Sequence, residues 1–329
     1  MSGCGEAVTA SSSTGDDERV LRTWLTERFD LQVPVVSAPM AGVSGGALAG
    51  AVSAAGGLGL VGWVGPDVDK LKLELVTAAQ PGRAFGIGFL AWTMRPGDEQ
   101  LVDAALEAGA SLVCISYGDY EPYVERITSA GAVAATQVGT LDDVRRATDA
   151  GVNLLVVRGG EGGGHGRDAV ATLPLLQAVL DETDLPVVAA GGIATARGLA
   201  AVLAAGAAGG WVGTAFLATH ESAYKDGHKD AVVAAGLDAS LHSTVFDIGR
   251  GSPWPPEFGG RALRNAYSDT WHGREAELRA APVPTDEPIV WAGQVAGLVK
   301  EKRPASEVVA ELADAERLLA EVCTRTTGG

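Results

Sequence analysis

From about residue 30 to residue 217 the chain repeats one pattern: a short apolar or β-branched run, a glycine-rich turn, an Ala/Leu/Glu stretch of helical periodicity, then another glycine. The runs that read as strands are residues 35–38, 58–61, 85–89, 112–116, 132–136, 154–158, 187–190 and 211–213. Their starts lie about twenty to thirty residues apart, the repeat obtained when a (β/α)8 barrel of about 250 residues is divided by eight. An open doubly wound sheet uses the same βα units, so the count favours the barrel and leaves the open sheet as the alternative. Helical stretches such as 141–150 and 173–180 end at Gly151 or just before Pro186, as termination signals should.

The pattern changes at both ends. Residues 1–16 are polar, and 19–29 form a short amphipathic segment (Val20, Leu21, Trp24, Leu25), so 1–30 reads as a flexible leader with a short helix. Residues 31–218 are then the barrel core. Residues 219–285 are richer in His, Trp, Pro and Arg, and read as a helical or irregular substrate lobe inserted after strand eight. Residues 286–329 are expected to form C-terminal helices that pack back on the barrel, with Val309, Leu312, Leu319 and Val322 near helical spacing.

Composition narrows the class. Hydrophobic residues make up 47% and charged residues 20%, which supplies a sizeable core and excludes global disorder. The 45 glycines are roughly double the usual share of about 7%, which suits loops that approach a ligand closely. With 25 Lys and Arg against 41 Asp and Glu the net charge is −16, which argues against nucleic acid and anionic membranes as partners. Cys4, Cys114 and Cys323 lie far apart and suggest neither a disulfide framework nor a metal pair. A cytoplasmic protein without a secretion signal or a membrane span is the expectation. A homo-oligomer is left open.

Several glycine-bearing patterns fall at strand ends. Gly57-Leu-Gly59-Leu-Val-Gly62 fits the dinucleotide fingerprint by letter, but that fingerprint needs a strand before it and a helix after it, whereas here the strand lies inside the motif. Gly42-Val-Ser44-Gly-Gly46 fits the nucleophile elbow, yet the Ser, acid, His order leaves several carboxylates that cannot be told apart. Arg158-Gly-Gly-Glu161-Gly-Gly-Gly164-His165-Gly is stronger. It follows the sixth strand, on the face where barrel active sites lie, and its six glycines among nine residues clear side chains from a ligand and leave one imidazole within reach. Ala190-Gly191-Gly192-Ile193 and Val212-Gly213-Thr214 follow strands seven and eight, where barrels bind phosphate through backbone N–H groups. His220, His228, His242 and His272 show no metal-ligand spacing, so no metal is expected. Trp254, Trp271 and Trp291 are by default core residues, with a substrate-pocket wall as the alternative. Pocket walls are expected from the lobe together with Trp63, Trp92 and Trp254.

With these residues assembled, the chain resembles the nitronate monooxygenase family, formerly the 2-nitropropane dioxygenases, which are FMN-containing TIM barrels. The resemblance rests on Ala38-Pro39-Met40, Val52-Ser-Ala-Ala-Gly-Gly-Leu-Gly59, the Glu161 to His165 loop, Ala190-Gly-Gly-Ile193, Val212-Gly-Thr214 and Trp291-Ala-Gly-Gln294, and covers residues 30–320. It implies FMN, with Ala38, Pro39 and Met40 against the flavin, and Gly191, Gly192, Gly213 and Thr214 on its phosphate. Gly88, Arg158, Gly163 and Gly164 would complete the cofactor site, Gln294 and Trp92 would face the substrate, and His165 would be the catalytic base. Two positions depart from the family: Gly88 stands where many members have Asn, and Arg158 where many have Gln. By strand alternation Leu154, Val156 and Arg158 share a face. Arg158 would then reach the isoalloxazine edge and favour negative charge on reduced flavin; the alternative is an Arg folded out to an acidic group. The implied activity is oxidation of alkyl nitronates by O2 to a carbonyl compound and nitrite, with neutral nitroalkanes left open. An FMN- and NAD(P)H-dependent enoyl-acyl-carrier-protein reductase and a non-catalytic FMN-binding protein are the alternatives.

Overall fold

The structure, a computed structural model, describes residues 21–327. The leader before residue 21, with Cys4, lies outside the described residues. Parallel strands β1 (Val35–Ser37), β2 (Gly59–Gly62), β3 (Phe85–Leu90), β4 (Leu112–Ser116), β5 (Val133–Val138) and β6 (Leu154–Arg158) are followed by β7 (Gly164–His165), a two-residue strand outside the barrel. Strands β8 (Val187–Ala190) and β9 (Gly209–Val212) complete the barrel, in the order β1-β9-β8-β6-β5-β4-β3-β2. Closure comes from Val36 bridging Leu58: the Ser37 N–H donates to the Leu58 carbonyl, and the Leu58 N–H to that of Val35, both at 2.9 Å. The ring is a (β/α)8 barrel.

Each strand is buried on both faces, which is why the sequence runs apolar there without polar alternation. One face of the pleat fills the barrel with Val36, Leu60, Leu112, Leu154, Val156, Val188 and Trp211. The other face, including Val35, Val61, Val113, Leu155 and Val212, packs on the helices outside. Those helices are α2 (Gly46–Ala54), α3 (Val68–Ala79), α4 (Glu99–Glu107), α5 (Glu121–Ser129), α6 (Leu141–Asp149), α7 (Thr172–Glu182) and α8 (Ala196–Ala204). The turn after α6 closes at Gly151 with φ +79°, a left-handed conformation that glycine takes at little cost. Helix α1 (Trp24–Phe29), opened by a Thr23/Thr26 capping box, plugs the N-terminal mouth: Leu25 and Phe29 join the barrel interior, and Leu25 lies over Gly209.

Beyond the 3₁₀ turn at Thr214–Phe216 the chain leaves the βα rhythm. It forms α9 (Asp226–Ala234), β10 (Ser240–Ser243), α10 (Val245–Arg250), β11 (Gly260–Leu263), α11 (Ala266–Trp271) and α12 (Glu275–Ala280). This lobe has a small core of its own in Val245, Phe246, Ala262, Tyr267 and Leu278. It also holds a three-stranded antiparallel sheet, β10-β11-β7, in which Gly260 pairs with His165 and Arg261 with Gly164. The third strand of the lobe is thus borrowed from the loop after β6, and two residues, Gly and His, give a sequence reader no periodicity from which to see it. Residues 286–304 cross back through the 3₁₀ turn Gln294–Leu298. Helix α13 (Ala305–Ala313) then packs on α2 and α8, and α14 (Ala315–Thr327) on α8.

Candidate active site

A cavity of about 420 Å³ opens at the C-terminal ends of the barrel strands. Ala38, Pro39, Met40, Gly88, Trp92, Arg158, Gly163, Gly164, His165, Gly191, Gly192, Gly213 and Thr214 all line it. Gln294 does not: its side chain is exposed, and only its backbone N–H takes part, donating to the Glu161 carbonyl at 3.1 Å. Trp63, Trp92 and Trp254 line the cavity, as does Trp291, for which core packing is the default expectation. Trp271 packs in the lobe instead. The Ser44 hydroxyl is buried and bound to the backbone of Met40, accepting from its N–H at 2.7 Å, so it shapes the turn after β1.

At one end the wall is main chain. Gly191 (φ +99°) and Gly192 (φ +75°) turn sharply after β8, and a Cβ on Gly191 would meet Thr172 Oγ1 at 2.8 Å. Among the described residues, none of the backbone N–H groups of Gly191, Gly192, Gly213 and Thr214 donates a hydrogen bond to the chain itself. Thr214 Oγ1 accepts from the Gly293 N–H at 2.9 Å, tying this end to the segment around Trp291. Pro39 lies over Gly88, where a Cβ would come 2.3 Å from Pro39 Cγ, so the departure at Gly88 has a steric reason: an Asn has no room beside this proline.

At the other end the wall is side chains. His165 Nε2 lies 2.8 Å from Asp247 Oδ1, both side chains being nearly buried. Trp254 covers one imidazole face, stacked at 3.7 Å and 4°, and Trp291 approaches at 4.5 Å. The Tyr117 hydroxyl lies 2.9 Å from the His165 carbonyl and 2.8 Å from Gln137 Oε1. Burial pushes the Tyr117 phenol up to about 12, against the opposing pull of Arg158, so it stays a protonated donor. Tyr117 also has φ +65°, a strained backbone for a bulky residue, placed where the ring meets Trp254 and Phe258. Cys114 faces the cavity as a neutral thiol, because burial lifts it to about 12.

Arg158 lines the cavity and does not fold out to an acidic group; its guanidinium is bound to the main chain of its own loop. Its Nη2 donates to the carbonyls of Gly162, Gly163 and Gly164 at 2.8, 3.1 and 2.9 Å, and its Nη1 to that of Arg167 at 3.2 Å. The buried guanidinium is therefore the hub around which the His165 loop is wound, and burial lowers its pKa below the ordinary value. Asp143 holds the far end of the loop through Arg167 (2.9 and 3.1 Å), and His242 holds it through Asp168 (2.9 Å) and the Gly166 carbonyl (3.1 Å). Sequence reading missed Asp247 and Tyr117. Asp247 is one carboxylate among many in a lobe without periodicity, and Tyr117 carries no motif.

Fold and site define a (β/α)8-barrel enzyme with its reactive group on the loop face. The nitronate monooxygenase family model matches residues 22–315. A (3aS,4S,5R,7aS)-5-hydroxy-7a-methyl-1-oxo-octahydro-1H-indene-4-carboxyl-CoA dehydrogenase of Mycobacterium tuberculosis is 36% identical over 69% of this chain, a match that spans only 64% of that relative's length. Nitronate monooxygenase npaC of Metarhizium robertsii is 33% identical over 87% of this chain and 91% of its own. Among solved structures, FabK of Thermotoga maritima superposes with TM-score 0.79 at 26% identity, covering 94% of this chain and 99% of that one. The nitroalkane oxidase of Streptomyces ansochromogenes gives 0.74 at 28%, covering 90% and 99%. The chain belongs to the nitronate monooxygenase family, a family of oxidoreductases that generally depend on flavin. Among the described residues no helix is long and apolar enough to cross a membrane.

Proposed function

We propose that this chain uses FMN and O2 to oxidise alkyl nitronates, and nitroalkanes where it can deprotonate them, to a carbonyl compound and nitrite. The observation that carries this reading is the pairing, in one cavity, of a main-chain anion cradle with an imidazole held on its edge and on its face. The cradle fits a flavin bearing one phosphate: Gly191, Gly192, Gly213 and Thr214 all line the cavity, and their four backbone N–H groups have no acceptor among the described residues. Among the described residues nothing comparable serves an adenosine half, which argues for FMN over FAD. Pro39, Met40 and the flat main chain at Gly163 border the space for the ring system. When bound, the flavin supplies the electron chemistry.

The chain's own residues do the rest. His165 accepts the carbon-bound proton of a neutral nitroalkane, a step that a preformed nitronate does not need. Trp92, Trp254 and Trp291 supply apolar wall on that side, and Arg158 keeps the His165 loop in register. Cofactor release and chromatography, oxygen uptake and nitrite assays test the whole reading. A positioned base contributes about 10²–10⁴ in rate. His165→Asn is therefore expected to lose about that factor on the neutral nitroalkane, to keep most nitronate turnover, and to retain flavin. Wild-type rates on both substrate forms would overturn the assignment of His165. Anaerobic NADPH separates this reading from a reductase on the same scaffold, because rapid bleaching of the flavin band would move the assignment there.

A further inference from the structure

We infer that Asp247 is the positioning residue of the proton-transfer site, fixing both the tautomer and the rotamer of His165; this rests on the reading of His165 as the base. The argument begins with donors and acceptors. A carboxylate oxygen accepts hydrogen bonds, so the imidazole nitrogen 2.8 Å from Asp247 Oδ1, which is Nε2, carries the hydrogen. In the neutral ring the lone pair is then on Nδ1, and proton acceptance is directed to that atom.

Every other constraint on the ring acts in the same sense. Trp254 lies parallel to its face at 3.7 Å, with Trp291 beside it at 4.5 Å, so rotation about the Cβ–Cγ bond would collide with one or the other. The main chain of His165 is paired with Gly260 in the lobe sheet, and its carbonyl lies 2.9 Å from the Tyr117 hydroxyl. Asp247 is itself rigidly placed. It lies on α10 between Phe246, which is buried in the lobe core, and Ile248, which packs against that core. Its carbonyl accepts the Ser252 N–H at 2.9 Å. The lobe thus does more than cover the barrel: it carries the group that decides which nitrogen of a barrel residue can take a proton.

Asp247→Asn tests this, because an amide of the same shape can present N–H to Nε2 and drive the proton to Nδ1. On the substrate that His165→Asn slows, Asp247→Asn is expected to lower kcat by about 10²–10⁴ with KM within about twofold and flavin occupancy unchanged. Asp247→Glu should recover part of the loss. The independent readout is ¹⁵N NMR of histidine-labelled protein, in which wild-type His165 should show Nε2–H and the Asn variant should not. Wild-type kcat in Asp247→Asn, or an Nδ1–H tautomer in the wild type, overturns the inference. The wild-type spectrum decides even where the variants fold poorly. If His165→Asn is itself without effect, the parent reading fails; if it is slow while Asp247→Asn is not, only the role of Asp247 fails.

Discussion

The two ends of the cavity are built on opposite principles. The cradle at Gly191, Gly192, Gly213 and Thr214 is main chain, made within two short turns that follow adjacent strands β8 and β9. The other end, where proton transfer is proposed, is side chains, with His165 supplied by the loop after β6, Tyr117 from the end of β4, and Asp247, Trp254 and Trp291 from the lobe and the segment behind it. A backbone cradle needs only that the chain turn correctly at the ends of two neighbouring strands. A histidine with a defined tautomer needs four distant segments to arrive together. The first should therefore fail by local insult, and the second by loosening of any one of its supports.

The largest expected effect tests the cradle. A Cβ at Gly213 meets only Ala38 Cβ at 3.4 Å and Met40 Sδ at 3.5 Å, so Gly213→Asp should fold but set a carboxylate against the phosphate. Like charges in contact repel strongly away from water. The purified variant should be colourless, with circular dichroism and melting close to wild type. A yellow protein with full FMN would break the comparison by removing the cradle from the cofactor site.

A smaller effect is expected at Gly88. Asn there would push its Cβ to 2.3 Å from Pro39 Cγ. Overpacking of that kind costs about 1–3 kcal/mol. Gly88→Asn should lower unfolding stability by that amount in denaturant titration, and adding Pro39→Gly, which removes both the Cγ at 2.3 Å and the Cβ at 2.5 Å, should return part of it. Failure of the second change to rescue the first would show that the site's small residues are set by something other than this contact.

Smallest is Tyr117→Phe, which leaves the aromatic contacts to Trp254 and Phe258 and removes only the hydroxyl from the His165 carbonyl. One hydrogen bond is worth about 1 kcal/mol, so a roughly fivefold drop in kcat is expected, with flavin retained. No change in kcat would mean that Trp254, Asp247 and the β7–β11 pairing hold His165 without help.

Much of this architecture was legible in the residues. The eight strands appear near their expected places because both faces of each are buried, which writes a continuous apolar run into the sequence. The glycines of the cradle were legible for a related reason: left-handed turns at Gly191 and Gly192 admit almost nothing else. His165 stood out because its neighbours have no side chains. Gln294 departs from the expectation because a residue in a turn can contribute its N–H alone while its side chain faces water.

Sequence by itself determined what is local: strand and helix periods, the turns that close them, and the glycine-bearing turns that follow β8 and β9. Tertiary structure alone decided which carboxylate among 41 acidic residues reaches His165, that Trp291 both packs on the lobe core and walls the cavity, and that the Arg158 guanidinium turns to loop carbonyls. The physical reason is range. Backbone conformation depends on a residue and its immediate neighbours, whereas a side-chain contact across 82 positions exists only after β7 and β11 have paired and the lobe has packed.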